Sequence, residues 1–147
     1  LRMSNHLRLV TLSGLLLLGA CASDGTTLTP SLRLVDTDWR ADMIAGAPVT
    51  IANPVTLSFN EGNASGRSGC NQYSGAADFD DRRITIRTII STKMACAGEG
   101  VMLTESAYLN ALQGVETFTI APDGSLTLTG PKASVHFVPQ PRQNRPS

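Results

Sequence analysis

This chain is poor in the side chains that do most protein chemistry. It has two histidines, three cysteines, one tryptophan, two tyrosines and four phenylalanines in 147 residues. A structural zinc site takes four Cys or His ligands, and with the N-terminal leader and its cysteine set aside only Cys70, Cys96 and His136 remain. Metal is therefore not expected, nor is any other cofactor. The formal net charge is +0, and the basic residues are scattered apart from Arg82, Arg83 and Arg87. That leaves no electrostatic footprint for nucleic acid. With so few aromatics, the core must be built from Val, Ile and Leu. No repeat of solenoid length is present, which excludes stacked-repeat architectures.

What is present begins with a leader. Met3, His6 and Arg8 precede the apolar run "LVTLSGLLLL", followed by Gly19, Ala20 and Cys21. A short basic region, an apolar stretch too short to span comfortably as a mature helix, and small residues at its end describe an export signal. The last four residues, "LGAC", resemble a bacterial lipobox. That resemblance implies cleavage after residue 20 and acylation of Cys21, whose acyl chains would hold the protein to a membrane at about 0.8 kcal/mol per buried methylene. Ala22 follows Cys21, with no aspartate of the kind that resembles an inner-membrane retention signal. In a Gram-negative host the expected place is the periplasmic face of the outer membrane. Losing Arg2 and Arg8 with the leader leaves ten Lys plus Arg against twelve Asp plus Glu, a formal charge near −2.

The rest reads as one domain with two margins. Residues 21–31, "CASDGTTLTPS", are small, polar and punctuated by proline, which suits a flexible tether. Residues 139–147, "PQPRQNRPS", are expected to be a disordered tail. The folded part is thus 32–138, and nothing in it points to more than a monomer.

Within that span, period-two alternation recurs. Val55, Leu57 and Phe59 share one face of "VTLSF", Ile84, Ile86, Thr88 and Ile90 one face of "RITIRTII", and "TFTIAPDGSLTLTG" reads as a hairpin around Pro-Asp-Gly. "SVHFV" closes the series, and weaker strand signals lie at 39–44, 49–51, 64–67 and 75–79. One segment departs from the pattern. From Glu99 to Gln113, the apolar residues Val101, Met102, Tyr108, Leu109 and Leu112 recur at helical spacing, with Gly114 placed as a C-terminal cap. The expected fold is α+β: a strongly curved or barrel-like antiparallel sheet of about seven or eight strands with one packed helix. The helix residues either fill the core or line an apolar groove beside it, where a small partner or acyl chain would sit.

Cys70 and Cys96 remain after lipidation, in an oxidising compartment, and an even number pairs naturally. A redox pair would usually sit closer in sequence, and metal would lack ligands. The pattern favours a structural disulfide over both. Ser65 in "NASGRSG" lacks the Gly-x-Ser-x-Gly elbow of hydrolases, and Asp78, Asp80 and Asp81 lack calcium-loop spacing and sit beside two arginines. His136 is expected to face solvent from a strand.

Taken together, "GCNQYSG", then "TKMAC", then "ESAYLNAL" resemble the META domain family, whose bacterial members include HslJ-like lipoproteins. Gly69, Cys70, Asn71, Tyr73 and Gly75 fit the first motif, Thr92, Met94, Ala95 and Cys96 the second, and Glu105, Tyr108, Leu109 and Leu112 the helix. The resemblance covers essentially the whole folded part. It implies a small α+β domain without established enzymatic activity, linked to stress response and to tolerance of novobiocin. The motif residues are of types that set backbone geometry: Gly69 and Gly75 suit positive φ, and Asn71 and Thr92 suit turns. The function so implied is a lipid-tethered envelope module binding a protein or apolar partner, with a periplasmic hydrolase or thiol oxidoreductase as the alternative.

Overall fold

The computed structural model describes residues 33–141. The expected leader, the expected lipid acceptor Cys21 and the expected tether, with residues 142–147, lie outside the described residues. Within them the order is β1 (Thr37–Ile44), β2 (Ala47–Pro48), β3 (Thr56–Asn60), β4 (Asn63–Arg67), β5 (Gln72–Asp80), β6 (Arg83–Ser91), α1 (Val101–Gln113), β7 (Thr117–Ile120), β8 (Leu126–Thr129) and β9 (Ser134–Gln140). Every pairing is antiparallel and joins strands in the order β2-β1-β3-β4-β5-β6-β7-β8-β9, with β1 also paired to β9. Eight strands thus close into a barrel, and β2 is an extra strand beside the end of β1. Closure removes free sheet edges except at one seam: β6 meets β7 only at Arg83 and Thr117. The helix packs against β6, β1 and β9, covering this weakly paired side.

The inward face carries the core that the alternation predicts. Val55, Leu57, Phe59, Ile84, Leu126, Leu128, Val135 and Phe137 are wholly or almost wholly buried. Each such side chain contributes about 1.5–3 kcal/mol by leaving water. Three departures have local causes. Positive φ at both Ala45 (50°) and Gly46 (79°) makes a two-residue hairpin turn, so pairing resumes at once at Ala47–Pro48 rather than at 49–51. The β5–β6 ladder slips between Ser74 and Ala76, and Thr88 takes a positive φ of 52°. Past that bulge the parity reverses: Ile89 packs on the core while Thr88 and Ile90 turn outward, Ile90 65% exposed. Finally, β9 runs two residues into the expected tail, and Pro139 pairs with Trp39. It lies past the last β8 partner, at Phe137, where a missing N–H is tolerated on the open side of the strand.

The alternating directions give the barrel two distinct ends. β1, β4 and β6 run the same way, so Ile44, Arg67 and Ser91 finish at one end, where the residues leading into α1 begin. Arg33 precedes β1 and Arg82 precedes β6 at the other end, where β9 also finishes opposite Asp38. The described chain therefore enters and leaves at the end opposite the start of the helix.

Candidate functional site

The "GCN" motif makes the tight connection between β4 and β5, and Gly69 takes a φ of 108° there. Gly75 does not have positive φ. It is required for space, because a Cβ would stand 2.9 Å from the Arg87 carbonyl and 3.2 Å from Ile89 at the bulge. Cys70 and Cys96 are bonded, their Cα atoms 5.8 Å apart, which ties the irregular segment 92–98 to this connection. Asn71 does the same by hydrogen bonding rather than by a local turn. Its Nδ2 donates to Glu105 Oε1 (2.7 Å) and to the Met94 carbonyl (3.0 Å), while its Oδ1 accepts from Thr92 Oγ1 (2.7 Å) and the Met94 N–H (2.8 Å). All four side-chain bonds that an amide can make are used. Thr92 Oγ1 also accepts the Gln72 N–H.

Glu105, the helix residue in this network, is 6% exposed. It accepts from Ser68 Oγ (2.6 Å), the Asn71 N–H (2.8 Å) and Asn71 Nδ2. Burial alone would raise its pKa, but these donors, with the Cys70 N–H, outweigh it and hold the carboxyl below its ordinary 4.5. The helix is thereby clamped to the disulfide-bonded connection by an ionised carboxylate that neutral donors satisfy.

Below the clamp, Tyr73 and Tyr108 meet with their hydroxyls 2.6 Å apart, and Tyr73 donates to the Thr56 carbonyl at 2.9 Å. Burial pushes both phenols well above the ordinary 10.0. These are the chain's two tyrosines, so their titration can be read directly. Tyrosinate absorbance is expected to be absent from the native chain at pH 10–11 and to appear only with unfolding. A raised folded pKa means stability is complete below about pH 10 and falls as pH rises from there towards the folded values. Reversible tyrosinate formation near pH 10 with the fold intact would contradict this burial.

The helix places its sequence-predicted residues unevenly. Val101, Tyr108 and Leu112 are buried, Leu109 is half-buried and packs on the core, and Met102 is 40% exposed. The buried stripe runs Val101, Glu105, Tyr108, Ala111 and Leu112, which turns Met102 to the side. The concavity beside the helix lies on its other flank. Leu103, Thr104 and Ala107 face Ile44, Ala47, Pro48 and Val49 across an open groove of about 220 Å³. Leu103 is 78% exposed, and the other large apolar side chains left exposed, Met43, Ile90, Met94 and Met102, come from the ends of β1 and β6, the segment that follows β6, and the start of α1. A second open concavity of about 440 Å³ joins Ile90 and Thr92 to Ser65, Gln72 and Ser74. One barrel end is thus rimmed with apolar surface.

The family model for the META domain matches residues 32–142. The chain belongs to the META domain family. Among solved structures, this META domain is similar to a protein from Burkholderia xenovorans determined by NMR, with TM-score 0.64, 27% identity, 76% of this chain and 87% of that one covered. A second NMR structure matches with TM-score 0.62 and 25% identity over 75% of this chain and 94% of the other. A DUF4847 family protein from Bacteroides vulgatus shares the fold, with TM-score 0.53 and 15% identity over 73% and 94% of the two chains. No curated protein matches the chain.

Outside the motifs, the META domain carries one oriented histidine. A bulge between Ala41 and Met43 turns Asp42 outward, and its Oδ1 lies 2.6 Å from His136 Nδ1, both side chains about one-third exposed. The ring faces outward as expected, but it is not alone. Ser65 stands on β4, three strands around the barrel from β9, roughly 14 Å at the usual strand spacing. Asp78 forms an exposed ion pair with Arg87. Among the described residues, no group of three or more His, Cys, Asp or Glu is placed to hold a metal ion.

Proposed function

We propose that this META domain is a non-catalytic binding module of the bacterial envelope. It is anchored through Cys21 to the periplasmic face of the outer membrane and engages an apolar or protein partner in support of envelope integrity under stress, including novobiocin tolerance. The observation that carries this reading is the apolar rim: Leu103 and its neighbours flank an open groove at the barrel end opposite the one where the described chain enters. The inert use of both motif cysteines and of Asn71, Thr92 and Glu105 supports it, since the motif serves to build this end rather than to react.

The test is saturable binding of an apolar fluorescent probe to the full chain. Leu103→Ser is expected to weaken that binding at least tenfold while changing stability by no more than about 0.5 kcal/mol, as exposed substitutions do. Absence of saturable binding, or binding indifferent to Leu103→Ser, removes the groove from the proposal. A hydrolase reading draws on the His136–Asp42 pair. It requires an activity abolished by His136→Gln, and Ser65 is too far around the barrel to supply the nucleophile.

A further inference from the structure

The opposite end of the barrel has a different character. A cavity of about 210 Å³ opens there, lined by Arg33, Arg82, Phe118, Thr119 and Ile120. Phe118 is 2% exposed and Ile120 half-buried, so the floor is apolar, while both arginines are exposed at the mouth. No carboxylate is in this lining, and among the described residues neither guanidinium is in an ion pair. Among the described residues, two cations thus converge on one small cavity whose lining holds no carboxylate. Arg33 comes from the segment before β1 and Arg82 from the β5–β6 turn, and the Arg82 carbonyl accepts the Phe118 N–H at 3.0 Å. That bond fixes the turn against the strand that makes the floor.

We propose that this mouth is a binding site for a phosphate group carried on a small organic body, the two guanidiniums taking the phosphate oxygens and Ile120, backed by the buried Phe118, taking the attached carbon. Guanidinium groups offer paired donors matched to phosphate oxygens, and charge-assisted bonds of this kind are about twice as strong as neutral ones. A cavity of this volume holds a headgroup-sized ligand and excludes a nucleic-acid strand or a folded partner. The phosphate has two sources, a phospholipid headgroup or a soluble phosphate ester. Arg33 lies twelve residues after Cys21, a span of up to about 40 Å when extended. The lipid source rests on the anchor at Cys21; the site itself does not.

The full chain, labelled with nitrogen-15 in a neutral, phosphate-free detergent, separates these cases by amide shifts at Thr119 and Ile120. Three probes are titrated at constant ionic strength: dihexanoyl phosphatidylglycerol, phenyl phosphate and inorganic phosphate. Saturable shifts are expected, with Arg33→Gln and Arg82→Gln each weakening the preferred probe about tenfold and Arg83→Gln, which is outside the lining, changing it by no more than about twofold. Preference for the short-chain lipid assigns the headgroup, and preference for phenyl phosphate assigns a soluble ester. No saturable shift with any probe, tighter binding of inorganic phosphate than of both esters, or equal losses in the Arg33, Arg82 and Arg83 variants overturns the proposal. Because all three arginines are exposed, the unperturbed spectrum of each variant serves as its own control for folding.

Discussion

Cys70→Ser is expected to lower the unfolding free energy by about 3.5 kcal/mol and to create no thiol activity. The bond to Cys96 spans 26 residues, enclosing all of β5 and β6, and the chain-entropy model sets the magnitude for a loop of that length. Geometry adds to it. Cys70 is 2% exposed, so a serine there buries a hydroxyl in place of a sulfur. The segment 92–98 has no strand or helix of its own, and without the bond it is held chiefly by Asn71. The two largest effects in this molecule therefore converge on one connection. Urea unfolding of wild type, Cys70→Ser and the doubly substituted Cys70→Ser/Cys96→Ser measures it, and a loss below 1 kcal/mol in both variants would show that the bond is incidental. Unreduced native chain, denatured and titrated with a thiol reagent, should release neither of these two sulfurs.

Much of this architecture was legible because alternation reports burial directly. Val55, Leu57 and Phe59, or Val135 and Phe137, can point inward together only as strands, and the helix announced itself by a change of period and by Gly114, whose N–H bonds to the Ala111 carbonyl at 3.1 Å. What alternation does not reveal is where a ladder gains a residue. The bulges at Asp42 and around Thr88 each reverse the parity of the residues beyond them, so Ile90 points outward although the pattern predicts it inward. Long-range polar pairing was also hidden. Glu105 and Asn71 are separated by 34 positions, and both are residue types usually found at the surface, yet they are among the most buried polar side chains of the barrel. The signal was available in the motifs: an asparagine in one and a glutamate in another, with no cation beside either, leave each as the other's natural partner. The arginine mouth had no such signal, since only closure of the barrel brings the segment before β1 beside the β5–β6 turn.

The two ends of the barrel carry different surfaces. The described chain enters at Arg33 and leaves at Pro141 on the side of the arginine mouth, while the apolar rim and the Asn71–Glu105 clamp lie at the other end. The clamp is what keeps the rim in place, because Leu103 and Met102 sit on the first turn of α1, which has no side-chain N-cap of its own. Bonds that Glu105 accepts from Ser68 and Asn71 hold that turn from outside the helix.

Glu105→Ala is therefore expected to be the most costly single substitution, about 3–5 kcal/mol at neutral pH. It strands two Asn71 donors, the backbone N–H and one Nδ2 proton, in a buried site, each worth about 1–3 kcal/mol and not fully additive, while Ser68 Oγ keeps the Asn71 carbonyl as its acceptor. Glu105→Gln keeps the volume but turns an NH2 group towards donors, and about 2–3 kcal/mol is expected. The pH dependence tells this clamp from a packing effect. Folding lowers the Glu105 pKa below its ordinary 4.5, so its contribution is complete above that value and is lost as pH falls through the lower, folded one. Wild type should lose stability across that acid window, whereas Glu105→Gln, with nothing to titrate there, should lose less. The gap between them measured by urea unfolding should accordingly shrink between pH 7 and pH 3. A gap that stays constant over that range would mean that the site needs the shape of the side chain and not its charge. In that case the first turn of α1, and the apolar rim it carries, would be held by packing of the Glu105 side chain together with the Tyr73–Tyr108 contact.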